Sequence, residues 1–203
     1  MKVECYGASR ARDGAHANED AFWISRPDST LAAVCDGAGP AQRCAGRVVQ
    51  LFARQTALRA LDLERFPSWT TWLKTIDASL EGGPQTTFVG VAAIEDRLVG
   101  ACVGDSRACL VNEDGCRPLT DERSPRLGSG EAEPTPIHER LRAHDVVLLM
   151  SDGAWKPLSI TEIHRLVMTW TLQHLADLPA ALLDLASRHG RADDMTVVAL
   201  RGR

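Results

Sequence analysis

No stretch of this sequence approaches the roughly 20 consecutive apolar residues that a membrane-spanning helix requires. Its opening residues, MKVECYGASRARDG, carry neither the apolar core nor the small-residue cleavage pattern of a secretory leader. The expected location is therefore the cytoplasm, with no membrane partner. Positive charge is scarce as well, since 23 Lys and Arg stand against 27 Asp and Glu. That balance offers no basic footprint and weighs against nucleic acid as a partner. The six cysteines (Cys5, Cys35, Cys44, Cys102, Cys109, Cys116) include no C-x-x-C pair, and the chain has no H-E-x-x-H and no paired histidines. The common zinc patterns are thus missing. Several of the cysteines lie inside apolar runs and read as reduced thiols of the core or surface. There is no internal repeat and no low-complexity tract.

What is present suits an ordinary globular protein able to bury a sizeable core. Of the 203 residues, 44% are hydrophobic and 25% charged, a composition and length that fit one domain spanning 1–203. A monomer is expected. Apolar, β-branched runs at 20–26, 30–36, 86–95, 97–104, 106–112, 145–151 and 195–200 read as strands. Short links at Asp96 and at Asp105-Ser106 favour hairpins, and hairpins make an antiparallel sheet.

Helices fall between the strands. The segment 41–62 has few breakers, and 68–81 sets Trp69, Trp72, Leu73, Ile76 and Leu80 on one face at helical spacing, a core stripe. Two further helices are expected near 159–170 and 177–189, the second closed by Gly190 as a C′ residue. Helices laid on an antiparallel sheet give an α+β layered domain. The region 121–144, rich in Pro, Gly and charge, reads as a surface loop or as a flap beside a site.

Acidic residues sit at particular places on this scaffold. Asp36, Asp105 and Asp152 each close an apolar run at a Gly or Ser turn, in AAVCDGAG, GACVGDSR and VLLMSDGA. Glu19-Asp20 and Asp193-Asp194 do the reverse and precede AFWIS and MTVVAL. In an antiparallel sheet the ends of one set of strands and the starts of the other share an edge, so all five stations can converge. Singly, each has a plainer explanation: Asp-Gly and Asp-Ser are common turn dipeptides, Asn18-Glu19-Asp20 suits a cap or turn, and Asp193-Asp194 suits a solvated pair. Together they would repel one another and raise each other's pKa unless a cation neutralised them. Oxygen-only ligands point to a hard ion, Mg²⁺ or Mn²⁺. The glycine after Asp36 permits close backbone approach, so its own carbonyl is a further candidate ligand. A nucleotide-binding reading of LAAVCDGAGPAQRCAG fails, because Gln42 stands where the last glycine of G-x-G-x-x-G belongs.

The ordered set NEDAF, AAVCDGAG, TTFVGVAAI, GACVGDSRACLV, LTDERS, DVVLLMSDGAW and ADDMTVVAL, from about Asn18 to Leu200, resembles the metal-dependent protein serine/threonine phosphatases of the PP2C (PPM) family. The resemblance implies a four-layer αββα fold, an antiparallel β-sandwich flanked by helices, with a two-metal centre at one end. By motif, Asp36 would bridge both ions with the Gly37 carbonyl beside it. Asp152 and Asp193 would bind the first ion and Glu19 the second, with Asp20 acting directly or through water. Asp105 matches the acid of a third, weaker site in bacterial relatives. The implied activity is hydrolysis of phosphoserine and phosphothreonine in proteins by a metal-activated water, opposing a Ser/Thr kinase. No covalent nucleophile is required.

The sequence departs from the family pattern at several points. Ala15 stands where many members carry an arginine that grips the substrate phosphate, which leaves Arg10 or Arg12 as substitutes. DGAGP replaces D-G-x-G-G, so proton donation to the leaving group falls to a water or to His16, whose ordinary pKa lies near neutrality. LTDERS replaces the usual LTxDHS, and the flap near 121–144 is shortened. These departures also support a reading from a different class, a metal-binding pseudo-phosphatase that recognises a phosphoprotein without turnover.

Overall fold

A strand that is apolar at every position, such as VVLLM at 146–150, must be covered on both faces. The computed structural model, which describes residues 2–14, 17–25, 30–38, 44–121, 125–171, 174–190 and 192–202, supplies that cover with two stacked sheets between two layers of helices. In chain order the elements are β1 (Val3–Arg10), β2 (Ala21–Ile24), β3 (Leu31–Cys35), β4 (Gly37–Ala38), α1 (Cys44–Ala57), α2 (Phe66–Leu80), β5 (Gln85–Thr86), β6 (Phe88–Ile94) and β7 (Arg97–Val103). There follow β8 (Arg107–Asn112), β9 (Gly115–Pro118), β10 (Thr135–Arg140), β11 (Val146–Met150), α3 (Asp152–Trp155), α4 (Ile160–Thr171), a 3₁₀ turn (Leu175–Asp177), α5 (Leu178–Ser187) and β12 (Met195–Gly202). One five-stranded sheet runs β1-β12-β11-β8-β9 and the other β10-β7-β6-β3-β2, with every neighbour antiparallel. A two-stranded ribbon pairs β4 with β5.

Strand alternation sorts the apolar residues into three cores. Val147 and Leu149 of β11 face inward with Val198, Leu200, Val89, Val91 and Leu98 to form the layer between the sheets. Val146, Leu148 and Met150 face the other way, against Ile163 and Val167 of α4 and Leu182 of α5. On the far side, α1 and α2 cover Ala33, Cys35, Phe88, Ala101 and Val103. The expected stripe of α2 is buried there in full, and Phe52 of α1 meets Trp23, Trp69, Trp72 and Phe88 at centroid distances of 5.4 to 5.6 Å. The expected αββα architecture is borne out.

Several local expectations are corrected. The link at Asp105-Ser106 is not a hairpin, because β7 and β8 belong to different sheets; it is a crossover between layers, whereas the Asp96 link does close a hairpin. The segment 121–144 is not a plain loop. It contains β10, an edge strand against β7, and it buries Leu127, Ala132, Ile137 and Leu141. Its Pro and charge masked the strand because one face of an edge strand meets water. Strand β1 has no apolar run to predict it, since GAS in its second half breaks the pattern; its register with β12 supplies the ordering instead. Helix α1 stops at Ala57, and Arg59 takes a positive φ of 52°. Gly190 lies two residues past the C-cap Arg188 of α5 rather than at C′. Among the described residues, no helix is long and apolar enough to cross a membrane.

Candidate functional site

Three strand ends deliver acids to one end of the sandwich. Asp36 follows β3, Asp105 follows β7 by one glycine, and Asp152 opens α3 just after β11. Carboxylate oxygens of these three lie within 4.8 Å of one another. Asp36 is fixed through its main chain: its N–H donates to Thr87 Oγ1 (2.9 Å), and its carbonyl accepts from Thr86 Oγ1 (2.8 Å) and the Thr87 N–H (2.9 Å). Thr87 Oγ1 is in turn bonded to Ser106 Oγ at 2.6 Å, tying the two sheets together beneath the acids.

Two cations thread this group. Arg126 reaches Asp36 Oδ1 (3.5 Å) and Asp105 Oδ1 (3.3 Å), and Lys156 reaches Asp105 Oδ2 (3.0 Å) and Asp152 Oδ2 (2.7 Å). Asp36 Oδ2 and Asp152 Oδ1 remain, both buried and without a donor from outside the pair, and the proton that Asp36 retains bonds it to Asp152. Burial and the charges of Asp20 and Asp152 push Asp36 up to about 8, with Arg126 pulling the other way. For Asp152 burial also opposes ionisation, but the bond from Lys156 holds it below its ordinary value. Lys156, despite its partial burial, rises to about 12 on its bonds to Asp152 and Asp105.

A second set borders the first. Asp20 accepts from Ser151 Oγ at 2.7 Å, and burial raises it to about 7 against that bond. Its N–H turns back onto Asn18 Oδ1 at 3.0 Å. Burial also raises Asp193, with Asp152 and Asp194 adding repulsion. The pair at 193–194 divides its labour. Asp193 is half exposed, whereas Asp194 is 2% exposed and not a solvated residue: it accepts the backbone N–H groups of Arg12 and Glu19 and clamps that loop to the start of β12. The Glu19 carboxylate faces Arg12 at 3.4 Å.

Two glycines serve close approach rather than turn geometry. A Cβ on Gly37 would stand 2.6 Å from the Glu19 carbonyl oxygen, and one on Gly153 would stand 2.2 Å from that of Asp194. Each D-G pair therefore lets an acid-bearing loop lie directly on the neighbouring one.

The donor set fits a hard divalent cation. It is all oxygen, burial holds Asp36 well above the usual carboxylate range even with Arg126 beside it, and two of its buried oxygens meet no donor from outside the cluster. The tight cluster comprises Asp36, Asp105 and Asp152, with Asp20 and Asp193 coupled to it electrostatically. Ala15 and His16 lie outside the described residues. Arg10 is drawn away to Asp184 (2.7 Å) and Ser187 (2.8 Å) on α5, whereas Arg12 reaches the border of the site. Sequence reasoning missed Lys156, although its place four residues after Asp152 is an i,i+4 signal. It also missed Arg126, for which nothing local gives a sign.

The family model of stage II sporulation protein E (SpoIIE) matches residues 26–203. Among solved structures, the chain is similar to the serine/threonine phosphatase Stp1 from Staphylococcus aureus, at TM-score 0.87 and 22% identity, covering 100% of this chain and 96% of that one. It is similar to the S. agalactiae serine/threonine phosphatase at TM-score 0.83 and 19% identity, covering 99% and 100%. A third likeness is to the catalytic domain of the serine/threonine protein phosphatase PstP in complex with two manganese ions, at TM-score 0.78 and 24% identity, covering 98% and 97%. No curated protein matches the chain by sequence.

Proposed function

The chain belongs to the SpoIIE family, and from that premise we propose that it is a metal-dependent phosphatase acting on phosphoserine and phosphothreonine in proteins. The observation that carries this reading is the cluster of Asp36, Asp105 and Asp152 at the strand ends, with two buried oxygens that meet no donor from outside the cluster. Named relatives of the same fold are serine/threonine phosphatases, and one was solved with two manganese ions.

In this reading Asp36, Asp152 and Asp193, with the Gly37 carbonyl, hold divalent ions, Mn²⁺ or Mg²⁺. Glu19 and Asp20 serve the second ion, and Asp105 adjoins a third, weaker position. Such ions supply an activated water and neutralise the charge that builds on a transferring phosphoryl group. The protein's own part is preorganisation. The Thr86, Thr87 and Ser106 hydroxyls fix Asp36, Lys156 keeps Asp152 ionised, and Gly37 and Gly153 bring the loops within reach of one another. Burial raises Asp36 to about 8 and Asp20 to about 7, so a cation held by these carboxylates would displace protons from them. His16 is retained as a candidate proton donor to the leaving group. Residues 1–203 act as one catalytic domain with a shortened flap, working as a monomer in the cytoplasm on phosphoproteins that a Ser/Thr kinase has modified.

The test is hydrolysis of an aryl phosphate with and without Mn²⁺, for the wild type beside Asp36→Asn. Turnover that needs the metal and vanishes in the variant is expected. Equal turnover in both proteins would overturn the metal assignment.

A further inference from the structure

We infer that Arg126 is the residue that grips the substrate phosphate in this chain. The inference rests on the phosphatase reading and names the group that the reading leaves open. Position 15 holds alanine, and of the two nearby arginines Arg10 is committed to Asp184 and Ser187 on α5. Arg12 is ringed by Glu19, Asp193 and Asp194 at 3.4 to 3.8 Å. Of these partners Asp194 is buried and accepts the backbone N–H groups of Arg12 and Glu19, so Arg12 keeps a carboxylate partner whatever enters the cluster.

Arg126 is placed differently. Its two terminal nitrogens each reach a different carboxylate at long range, 3.5 Å to Asp36 and 3.3 Å to Asp105. Its side chain is 25% exposed, so it lines the mouth of the acid cluster. Cations bound by Asp36 and Asp105 would cancel the charge that holds it, leaving a planar fork of N–H donors above them. A fork of that shape matches two oxygens of a phosphate. Lys156 lacks the fork and sits closer to its carboxylates, so it stays as their counter-charge.

The backbone behind Arg126 is fixed. Leu127 is fully buried and exchanges two main-chain hydrogen bonds with Thr86, at 2.9 and 3.1 Å, and the Thr86 hydroxyl holds the Asp36 carbonyl. Beyond it, the N–H groups of Gly128 (2.7 Å), Gly130 (3.2 Å) and Ala132 (3.0 Å) all donate to the carboxylate of Asp77 on α2. Arg126 and Asp36 thus share one frame, so phosphate and metals would be held in fixed relation.

The experiment compares Arg126→Ala and Arg126→Lys with wild type and with Arg10→Ala. It reads Mn²⁺ affinity by calorimetry without phosphate, then inorganic phosphate affinity at saturating Mn²⁺, then KM and kcat on an aryl phosphate. For Arg126→Ala the phosphate Kd and the KM should rise about 10- to 100-fold, the scale of losing charge-assisted hydrogen bonds. Mn²⁺ affinity should stay the same or tighten, Arg126→Lys should recover part of the loss, and Arg10→Ala should match wild type. Unchanged phosphate Kd and KM in Arg126→Ala, with the wild type turning over, would overturn the inference and leave the phosphatase reading intact. A wild type that binds phosphate only with Mn²⁺ but never hydrolyses, with that binding lost in Arg126→Ala, would uphold the inference and overturn the phosphatase reading. Weakened Mn²⁺ binding in step with phosphate binding would reduce Arg126 to a structural counter-ion and overturn the inference.

Discussion

Asp36 and Asp77 are buried to the same degree, 5% exposed each, yet they are opposites in chemistry. Asp77 is closed: three backbone N–H groups of the 128–132 segment donate to its two oxygens. Asp36 is open: Oδ2 meets no donor from outside the cluster, other carboxylates crowd it, and burial raises it to about 8. Burial alone therefore does not identify a functional acid. What separates the two is whether the surroundings complete the carboxylate's hydrogen bonds or leave them for a ligand.

The comparison breaks most sharply under substitution. Asp36→Asn should lower metal-dependent phosphate release by about 10³-fold, the scale of losing a preorganised electrostatic element. Its melting temperature without metal should be equal or higher, because a neutral amide carries none of the cost of ionising a carboxyl buried among other acids. Calorimetry beside the activity assay checks both. Asp77→Ala should do the reverse. Orphaning its backbone donors should cost about 3 kcal/mol, which lowers the melting temperature by about 6–12 °C, while Mn²⁺ affinity measured by titration is retained.

Metal sharpens the contrast further. At a concentration 100 times its Kd, a bound ion should stabilise the wild type and Asp77→Ala alike by about 2.7 kcal/mol. Asp36→Asn should show little of this shift in thermal melts. A further contrast concerns pH. Asp36 near 8 and Asp20 near 7 hold protons in the folded state that the unfolded chain gives up near its ordinary carboxylate pKa of about 4. The metal-free fold binds more protons across that window, so its stability should fall as pH rises from about 5 to 8 and level off above. Asp152, shifted down, contributes in the opposite sense only at more acidic pH. Melting curves with and without Mn²⁺ check this, since apparent Mn²⁺ affinity should rise over the same window.

The legible parts of this protein were those written in short range. Apolar runs marked the strands, the stripe Trp69, Trp72, Leu73, Ile76 and Leu80 marked the covered face of α2, and Asp36, Asp105 and Asp152 stood out because each interrupts an apolar run at a turn. The parts that stayed hidden depend on distant partners. Asp77 lies inside the α2 stripe and reads locally as a polar interruption, because its donors arrive from residues 128–132. Strand β10 has a half-wet edge and carries no alternation to read. The Asp105-Ser106 link looks like a hairpin, since a short link is equally short whether the chain returns to its own sheet or crosses to the next.

By itself the sequence determined that acids would stand at the ends and starts of particular strands, and that those strands would be covered on both faces. Only the tertiary structure decided which acids face one another without donors and which are sealed by backbone N–H groups. It also brought Arg126 to Asp36 across 90 residues of chain. The reason is physical: strand and helix patterns are set by neighbours within a few residues, whereas the state of a buried carboxylate is set by whatever donors and charges the rest of the fold packs around it.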